Sequence, residues 1–465
     1  MMQDFRVEHD SLGDVRVPAG ALYGAQTQRA VENFPVSGLR EHSVFVESYV
    51  ALKRAAAAVN KALGDLTPER ADAIIAAADE VLAGNYREQF VVDVYQAGAG
   101  TSFNMNVNEV LANLANLRLG GKPGEYMHVH PNDHVNMAQS TNDSFPTAMR
   151  VSILRLLRES LVPSLGGLEA ALRAKAGEFA RIVTTGRTHL QDATPITLGQ
   201  VFGAYADTTR KDIERLGRAG GELHYLNIGG TAVGTGINTR KAFAKMMADE
   251  LSRLTGLALR PARNLVEIAQ STADFAEMSG ALRVVAGDIG KLSNDLRLMS
   301  SGPTAGIGEI ALPAVQPGSS IMPGKVNPSI PEMVNQVCFQ VLGQCACVDY
   351  AHQAAQFQLN AMMPVMAHAF TDAMTILANA LRILAENCVA GIAANGETCR
   401  RYYESSPSLV TALSPIIGYS KAAELAKKAV AERRPIMDVI RESGLLTAEQ
   451  IAHIFRPETL TEPRE

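Results

Sequence analysis

The chain contains no tryptophan, and its aromatic residues make up only 5% of the whole. Sheets draw on aromatic and β-branched residues, so this scarcity, beside plentiful Ala, Leu and Met, favours helix over strand. Cysteine is also sparse. Cys338, Cys345, Cys347, Cys388 and Cys399 are odd in number, late in the chain and contain no CxxC pair. That pattern excludes a disulfide framework and leaves buried, reduced thiols as the expectation. A net charge of -5 offers no basic face, so neither nucleic acid nor a membrane surface is an expected partner. No uncharged apolar run reaches the roughly 18 residues that cross a bilayer. The start, MMQDFRVEHDSLGD, is acidic and lacks the apolar segment of a signal peptide. A cytoplasmic protein is the default expectation.

What is present fits a soluble globular chain: 465 residues, 47% apolar and 20% charged, long enough for two to four domains. Residues 1–43 are rich in Gly, Pro and Asn, with short β-prone pieces at Phe5–Val7 and Val15–Val17. Helical patterns follow from Val44 to Leu63 and from Pro68 to Leu82, the second with Thr67 as N-cap and Pro68 in the first turn. The middle of the chain carries longer runs: Pro146–Ala180, Thr197–Leu226, Leu265–Ser300, Pro331–Ala354 and Asn360–Cys388. Within one of them Met278, Leu282, Val285, Ile289, Leu292 and Leu296 recur at spacings of 4, 3, 4, 3 and 4. A seam of that length predicts a bundle of neighbouring helices. After Asn395 the elements shorten; Pro435 starts a helix that Gly444 ends, and Thr447 with Gln450 forms a capping box. The expected outline is a mainly α chain with a mixed N-terminal domain (1–143), a central bundle of long helices (144–395) and a small helical C-terminal domain (396–465).

Polar loops interrupt this pattern. The most conspicuous is GSSIMPGKVNPSIPE, Gly318 to Glu332, which places Ser319 and Ser320 close to Lys325 and Asn327. Gly and Pro weaken helices, so a loop here serves chemistry better than stability. Others are Gly98–Asn108, His128–Asp143 and Gly186–Thr194. A fifth, Gly229–Thr239 (GGTAVGTGINT), holds no ionisable side chain and reads as a backbone turn.

Two nucleotide-binding patterns fail. Five residues separate Gly318 from Gly324 where a P-loop needs four, and Val326 stands where its Ser/Thr belongs. Thr239 occupies the place of the third glycine after Gly234 and Gly236. His128, His130 and His134 with Asp133 do not match a common zinc spacing, so no metal is expected. His189 is either a structural histidine or a functional one in its polar run. Ser140-Thr141-Asn142, just before a helix beginning near Phe145, is either a plain N-cap or a carboxylate site at a helix N-terminus. Many neutral donors, one well-placed Lys and no cofactor box suit a small dianionic substrate held by hydrogen bonds.

At these loops the sequence strongly resembles the aspartase/fumarase superfamily. GSSIMPGKVNP is that superfamily's signature. GTSFNMNVNEV from Gly100, HPNDHVNMAQSTND from His130, GRTHLQDATP from Gly186 and GGTAVGTGINT from Gly229 follow its order. The likeness covers essentially the whole chain, from Glu8 to Ala429. Gly324 and Val326 depart from the argininosuccinate and adenylosuccinate branches. Ser102, Thr141 and IPEMVNQVCFQV from Ile330 are similar to the ammonia-lyase (aspartase) branch, as are VDVYQAGAGTS and QFQLN from Gln356. The Thr411–Ala429 tail is more like the class II fumarases. Phe103 departs from both, where relatives carry Val or Thr.

The resemblance implies a three-domain, homotetrameric fold with a twenty-helix core and active sites built from three subunits. It implies a small dicarboxylate substrate, no cofactor and no metal. Ser319 matches the general base, on a loop that closes over substrate. Lys325 and Asn327 match the groups that hold the α-carboxylate, while Thr101, Ser140, Thr141 and Thr188 match donors to the β-carboxylate. Asn142 and His189 match groups near the amino group, and Glu332 the carboxylate partnered with that histidine in fumarases. A serine is a poor base in water, so its alkoxide needs positive charge and backbone N–H groups beside it.

Overall fold

Helices dominate because the chain supplies long periodic runs with well-defined ends. The computed structural model describes residues 4–462; the first three residues of the acidic start and residues 463–465 of the tail lie outside it. A hairpin of β1 (Phe5–Asp10) and β2 (Gly13–Pro18) opens the fold, where β-prone pieces were expected. Then come α1 (Ala25–Asn33), α2 (Ser43–Leu63), α3 (Pro68–Leu82), α4 (Thr101–Arg118), α5 (Thr141–Leu156) and α6 (Val162–Glu178). A second antiparallel hairpin, β3 (Val183–Thr188) and β4 (Gln191–Thr197), precedes α7 (Leu198–Ala219). The remaining long elements are α8 (Phe243–Thr255), α9 (Leu265–Gln270), α10 (Ala273–Met299), α11 (Ser329–Gln353) and α12 (Met363–Asn387), followed by short C-terminal helices.

Several ends follow from single residues. His42 Nδ1 accepts the Val44 N–H at the start of α2, and Gly64, at φ 80°, closes it in the left-handed conformation that glycine adopts without a Cβ clash. Thr67 occupies the N-cap of α3, but its hydroxyl makes no capping bond. The capping box of Thr447 and Gln450 is formed. All six residues of the α10 seam are at most 3% exposed.

Five segments differ from the sequence expectation. Gly98–Asn108, expected as a polar loop, is helical from Thr101, where α4 begins. The run Leu265–Ser300 is broken at Ser271 and Thr272. Ser271 Oγ accepts the Ala273 N–H, and Thr272 Oγ1 bonds His352 and Asn360, so local side-chain bonds displace the helical ladder. The Thr197–Leu226 run stops at Ala219, before Gly220 and Gly221. The Pro146–Ala180 run starts earlier, at Thr141, and passes through a wide turn at Leu157–Leu161. Gly186–Thr194 is part of a hairpin. Among the described residues one helical segment, Met363–Gly391, is long and apolar enough to cross a membrane; 56% of its most apolar window is buried, as in the core helix of a globular protein.

The chain divides into two compact units, each assembled from three stretches. The first comprises residues 1–163, 214–286 and 339–377. Its core includes an aromatic cluster in which Phe45 lies 5.0 Å from Phe145 and 5.5 Å from Phe103, ring centre to ring centre. Phe103 is thus a core residue, fully buried against Tyr49 and Phe90 as well. The second unit comprises 164–213, 287–338 and 378–465. It holds the β3–β4 hairpin and a C-terminal core of Leu409, Leu413, Ile436 and Ile440. Four of the five cysteines are buried and Cys347 is partly so; all are free thiols, with burial pushing each thiol's pKa upward.

Candidate functional site

In the first unit, three of the named residues sit on the N-terminus of α5. Ser140 is the N-cap: its Oγ accepts the Asn142 N–H at 3.2 Å, while its own N–H donates to Asp143 Oδ1 at 2.9 Å. This is a reciprocal capping box at the helix N-terminus, where the dipole favours negative charge. Thr141 is buried and Asn142 half-buried. Asn142 Nδ2 donates to Ala232 O at 2.8 Å, tying this end to the Gly229–Thr239 loop. Thr101 opens α4 and is exposed. Gly100 before it has φ 85°, and a Cβ there would lie 2.0 Å from the Phe145 ring, so only glycine allows the approach.

Beneath lies a buried polar layer. Lys53 Nζ, with no exposed surface, donates to Asn136 Oδ1 and Gln139 Oε1, both at 2.9 Å. Burial pushes its pKa down to about 7, against the pull of the Asp143 carboxylate. Asp143 is buried as well, and burial pushes its pKa up to about 6 against the lowering effect of its backbone donors and Lys53. Tyr49 Oη donates to Asn104 Oδ1 and lies 2.9 Å from Ser144 Oγ.

In the second unit, Ser319, Lys325 and Asn327 share one loop. Its neck is closed by the Gly318 N–H on Lys325 O at 3.0 Å and by Asn327 Nδ2 on Gly318 O at 2.7 Å. A Cβ on Gly318 would sit 2.2 Å from Lys325 O, which explains glycine at that position. Ser319 Oγ accepts the Ile321 and Met322 N–H groups at 3.3 and 3.0 Å. Two backbone donors aimed at one hydroxyl oxygen are the arrangement that lowers the cost of an alkoxide. The Lys325 ammonium is exposed and has no partner among the described residues. Beside the loop is a cleft of 640 Å³ lined by Lys325 and Asn327 and, from the C-terminal stretch, by Asn395, Thr398 and Arg401.

The β3–β4 hairpin presents Thr188 and His189, both exposed. Its two-residue turn is His189-Leu190, at φ 56° and 60°. Side chains seldom adopt these angles, which makes the turn a strained one. Behind it, Arg187 Nη1 bonds both oxygens of the buried Glu309 at 3.0 Å, and Thr184 Oγ1 donates to the same carboxylate. Glu332 lies in the first turn of α11, and among the bonds of the described residues none joins it to His189. Two of the three histidines of residues 128–134, His130 and His134, accept backbone N–H groups at a helix start. His130 Nδ1 accepts from Asn132 and Asp133, and His134 Nδ1 from His130 N–H. Among the described residues no group of three or more His, Cys, Asp or Glu side chains is placed to hold a metal.

Sequence reasoning passed over Asp143, Lys53 and Glu309, and gave Arg187 only a place in the polar run around His189. The Ser140-x-x-Asp143 spacing is a capping-box signal for the first; Lys53 and Glu309 carry no local signature.

The chain matches the Lyase model over residues 13–343 and the Fumarase C C-terminus model over residues 409–462. It is 45% identical to an aspartate ammonia-lyase of a Bacillus species, covering 100% of this chain and 99% of that one. It is 46% identical to a class II fumarate hydratase of Xylella fastidiosa, covering 98% and 96%. A crystal structure titled fumarate lyase:delta crystallin from Brucella melitensis, bound to cobalt, superposes with a TM-score of 0.96 at 48% identity, covering 99% of this chain and 100% of that one. With its fold and loops in the same order, the chain belongs to the aspartase/fumarase superfamily. It is an enzyme of the lyase class.

Proposed function

We propose that this enzyme is an aspartate ammonia-lyase, converting L-aspartate reversibly to fumarate and ammonia. The observation that carries the reading is Ser319, whose Oγ accepts from two backbone N–H groups and which directly follows the neck residue Gly318 of a loop that also holds Lys325 and Asn327. Relatives of that name, aligned end to end at 45–47% identity, support the choice of substrate.

In the proposed reaction Ser319, as alkoxide, takes the proton from C3. The C3–H electron pair moves into the adjoining carboxylate to form an aci-carboxylate. Its return makes the C2–C3 double bond as the C2–N bond breaks and ammonia leaves. Thr101, Ser140, Thr141 and Thr188 hold the β-carboxylate whose charge grows, and donors already aimed at it stabilise the intermediate most. Lys325 and Asn327 hold the α-carboxylate. Asn142 and His189 address the amino group, with Glu332 setting the histidine's charge and orientation. The superfamily likeness adds to this reading a homotetramer with sites drawn from three subunits. The scheme uses no cofactor, and a cytoplasmic location goes with it.

A second reading, class II fumarate hydratase, is favoured by the Xylella fastidiosa relative and by the fumarase C match at the C-terminus. Fumarate absorbance separates the two. Purified protein should release fumarate from L-aspartate; release from L-malate but not from L-aspartate overturns the first reading.

A further inference from the structure

The Gly229–Thr239 loop holds no ionisable group, yet two side chains at the N-terminus of α5, Asp143 and Asn142, bond it. Asp143 Oδ1 accepts the Ser140 N–H at 2.9 Å, and Oδ2 accepts Gly229 N–H at 3.0 Å and Thr231 N–H at 2.8 Å. One buried carboxylate thus satisfies three backbone donors from segments nearly ninety residues apart. Thr231 is held at φ 54°, a left-handed angle that is costly for a β-branched residue, and its buried hydroxyl finds no partner among the described residues. Strain of that kind persists only where surrounding contacts impose it. The next carbonyl, Ala232 O, receives the Asn142 amide hydrogen at 2.8 Å. With Nδ2 engaged there, Asn142 Oδ1 is the atom left to accept from an ammonium group.

We infer that Asp143 is a positioning residue, which locks the Ser140–Asn142 donors and the Gly229–Ala232 backbone into one rigid cradle for the substrate's carboxylate and amino group. This rests on the reading that Ser140, Thr141 and Asn142 contact a dicarboxylate. The physical reason is acceptor count. Asp143 offers two oxygens to three N–H groups, whereas asparagine offers one and turns an NH₂ donor toward the others.

The experiment uses the full-length D143N variant beside the wild type. Wild-type fumarate release tests the functional reading first. In D143N, kcat/KM for L-aspartate should fall about 100-fold, the scale of a misplaced contact. The Kd of succinate, which has no amino group and cannot react, should rise about tenfold. Residue-resolved hydrogen exchange should show Ser140, Gly229 and Thr231 amides losing protection together while the rest of α5 keeps its own. A folded D143N with both constants within twofold of wild type, or with Gly229 and Thr231 still protected, overturns the inference. If D143N does not fold, wild-type exchange decides: a shared opening free energy for the three amides supports the lock, and a spread of more than tenfold in opening constant overturns it. If the wild type acts on neither aspartate nor malate, the functional reading fails, while the exchange result still judges the lock.

Discussion

The two loop regions that carry the predicted chemistry are built in opposite ways. The Ser140–Asp143 end of α5 sits on a buried polar layer, with Asp143 and Lys53 inside and Phe145 sealing it against Gly100. The Gly318–Asn327 loop is held mainly at its neck, and its apolar residues face outward, Ile321 being 83% exposed. The first region is rigid by construction, because moving it would strand buried donors and charges. The second can open at little cost, since few buried contacts break. A lyase that encloses a small dianion gains from both: donors already in place where charge develops, and a base that arrives after substrate.

The largest expected effect falls on the open loop. Ser319→Ala should lower kcat about a thousandfold, the scale of general-base loss, with circular dichroism unchanged. Near-normal turnover would remove Ser319 from the chemistry and the loop from the comparison.

A matched pair of glycines comes next. Gly100 and Gly324 share left-handed angles, φ 85° and 81°, but differ in surroundings. A Cβ on Gly100 would meet the Phe145 ring, while nothing lies within 4 Å of one on Gly324. Gly100→Ala should cost roughly 3 kcal/mol or more by overpacking added to strain, and Gly324→Ala about 1 kcal/mol from strain alone. Equal shifts in melting temperature would mean that the two regions are equally soft.

The pH dependence of the rigid region should be visible through Lys53. Its folded pKa is pushed down to about 7 from the ordinary lysine value of 10.5, so the folded chain binds fewer protons there than the unfolded chain across that interval. The Lys53 contribution to stability should therefore rise as pH climbs from 7 towards 10, and it is least favourable below 7, where the buried group must carry its charge. Lys53→Met should abolish that slope in melting temperature against pH. A slope that survives the substitution would assign it to another group.

The smallest effect on stability belongs to Ile321→Ala. An exposed side chain on the loop should change stability by less than about 0.5 kcal/mol. A loss well above that would show Ile321 packed in solution, against the picture of an open loop.

How much of this was legible in the residues depended on the range of the interaction. The α10 seam and the end of α2 follow from periodicity and one glycine, which act within a few residues. The Gly318–Lys325 signature was equally plain. The β3–β4 hairpin was not. VTTGRT and QDATPIT lack the apolar alternation of an ordinary strand, and His189-Leu190 lacks the Gly or Asn of a usual two-residue turn. The break between α9 and α10 also escaped, because Thr272 is drawn out of the helical ladder by His352 and Asn360, far along the chain.

The amino-acid sequence by itself determined the helical character, the polar loops and the family likeness, since propensity, periodicity and motif spacing are local properties. Only the tertiary structure decided what holds those loops. Asp143 meets Gly229 and Thr231, and Arg187 meets Glu309, across separations that no local pattern encodes. Buried donors and charges must find acceptors wherever folding brings them, and that requirement turns a glycine-rich turn without ionisable groups into part of the frame around a candidate active site.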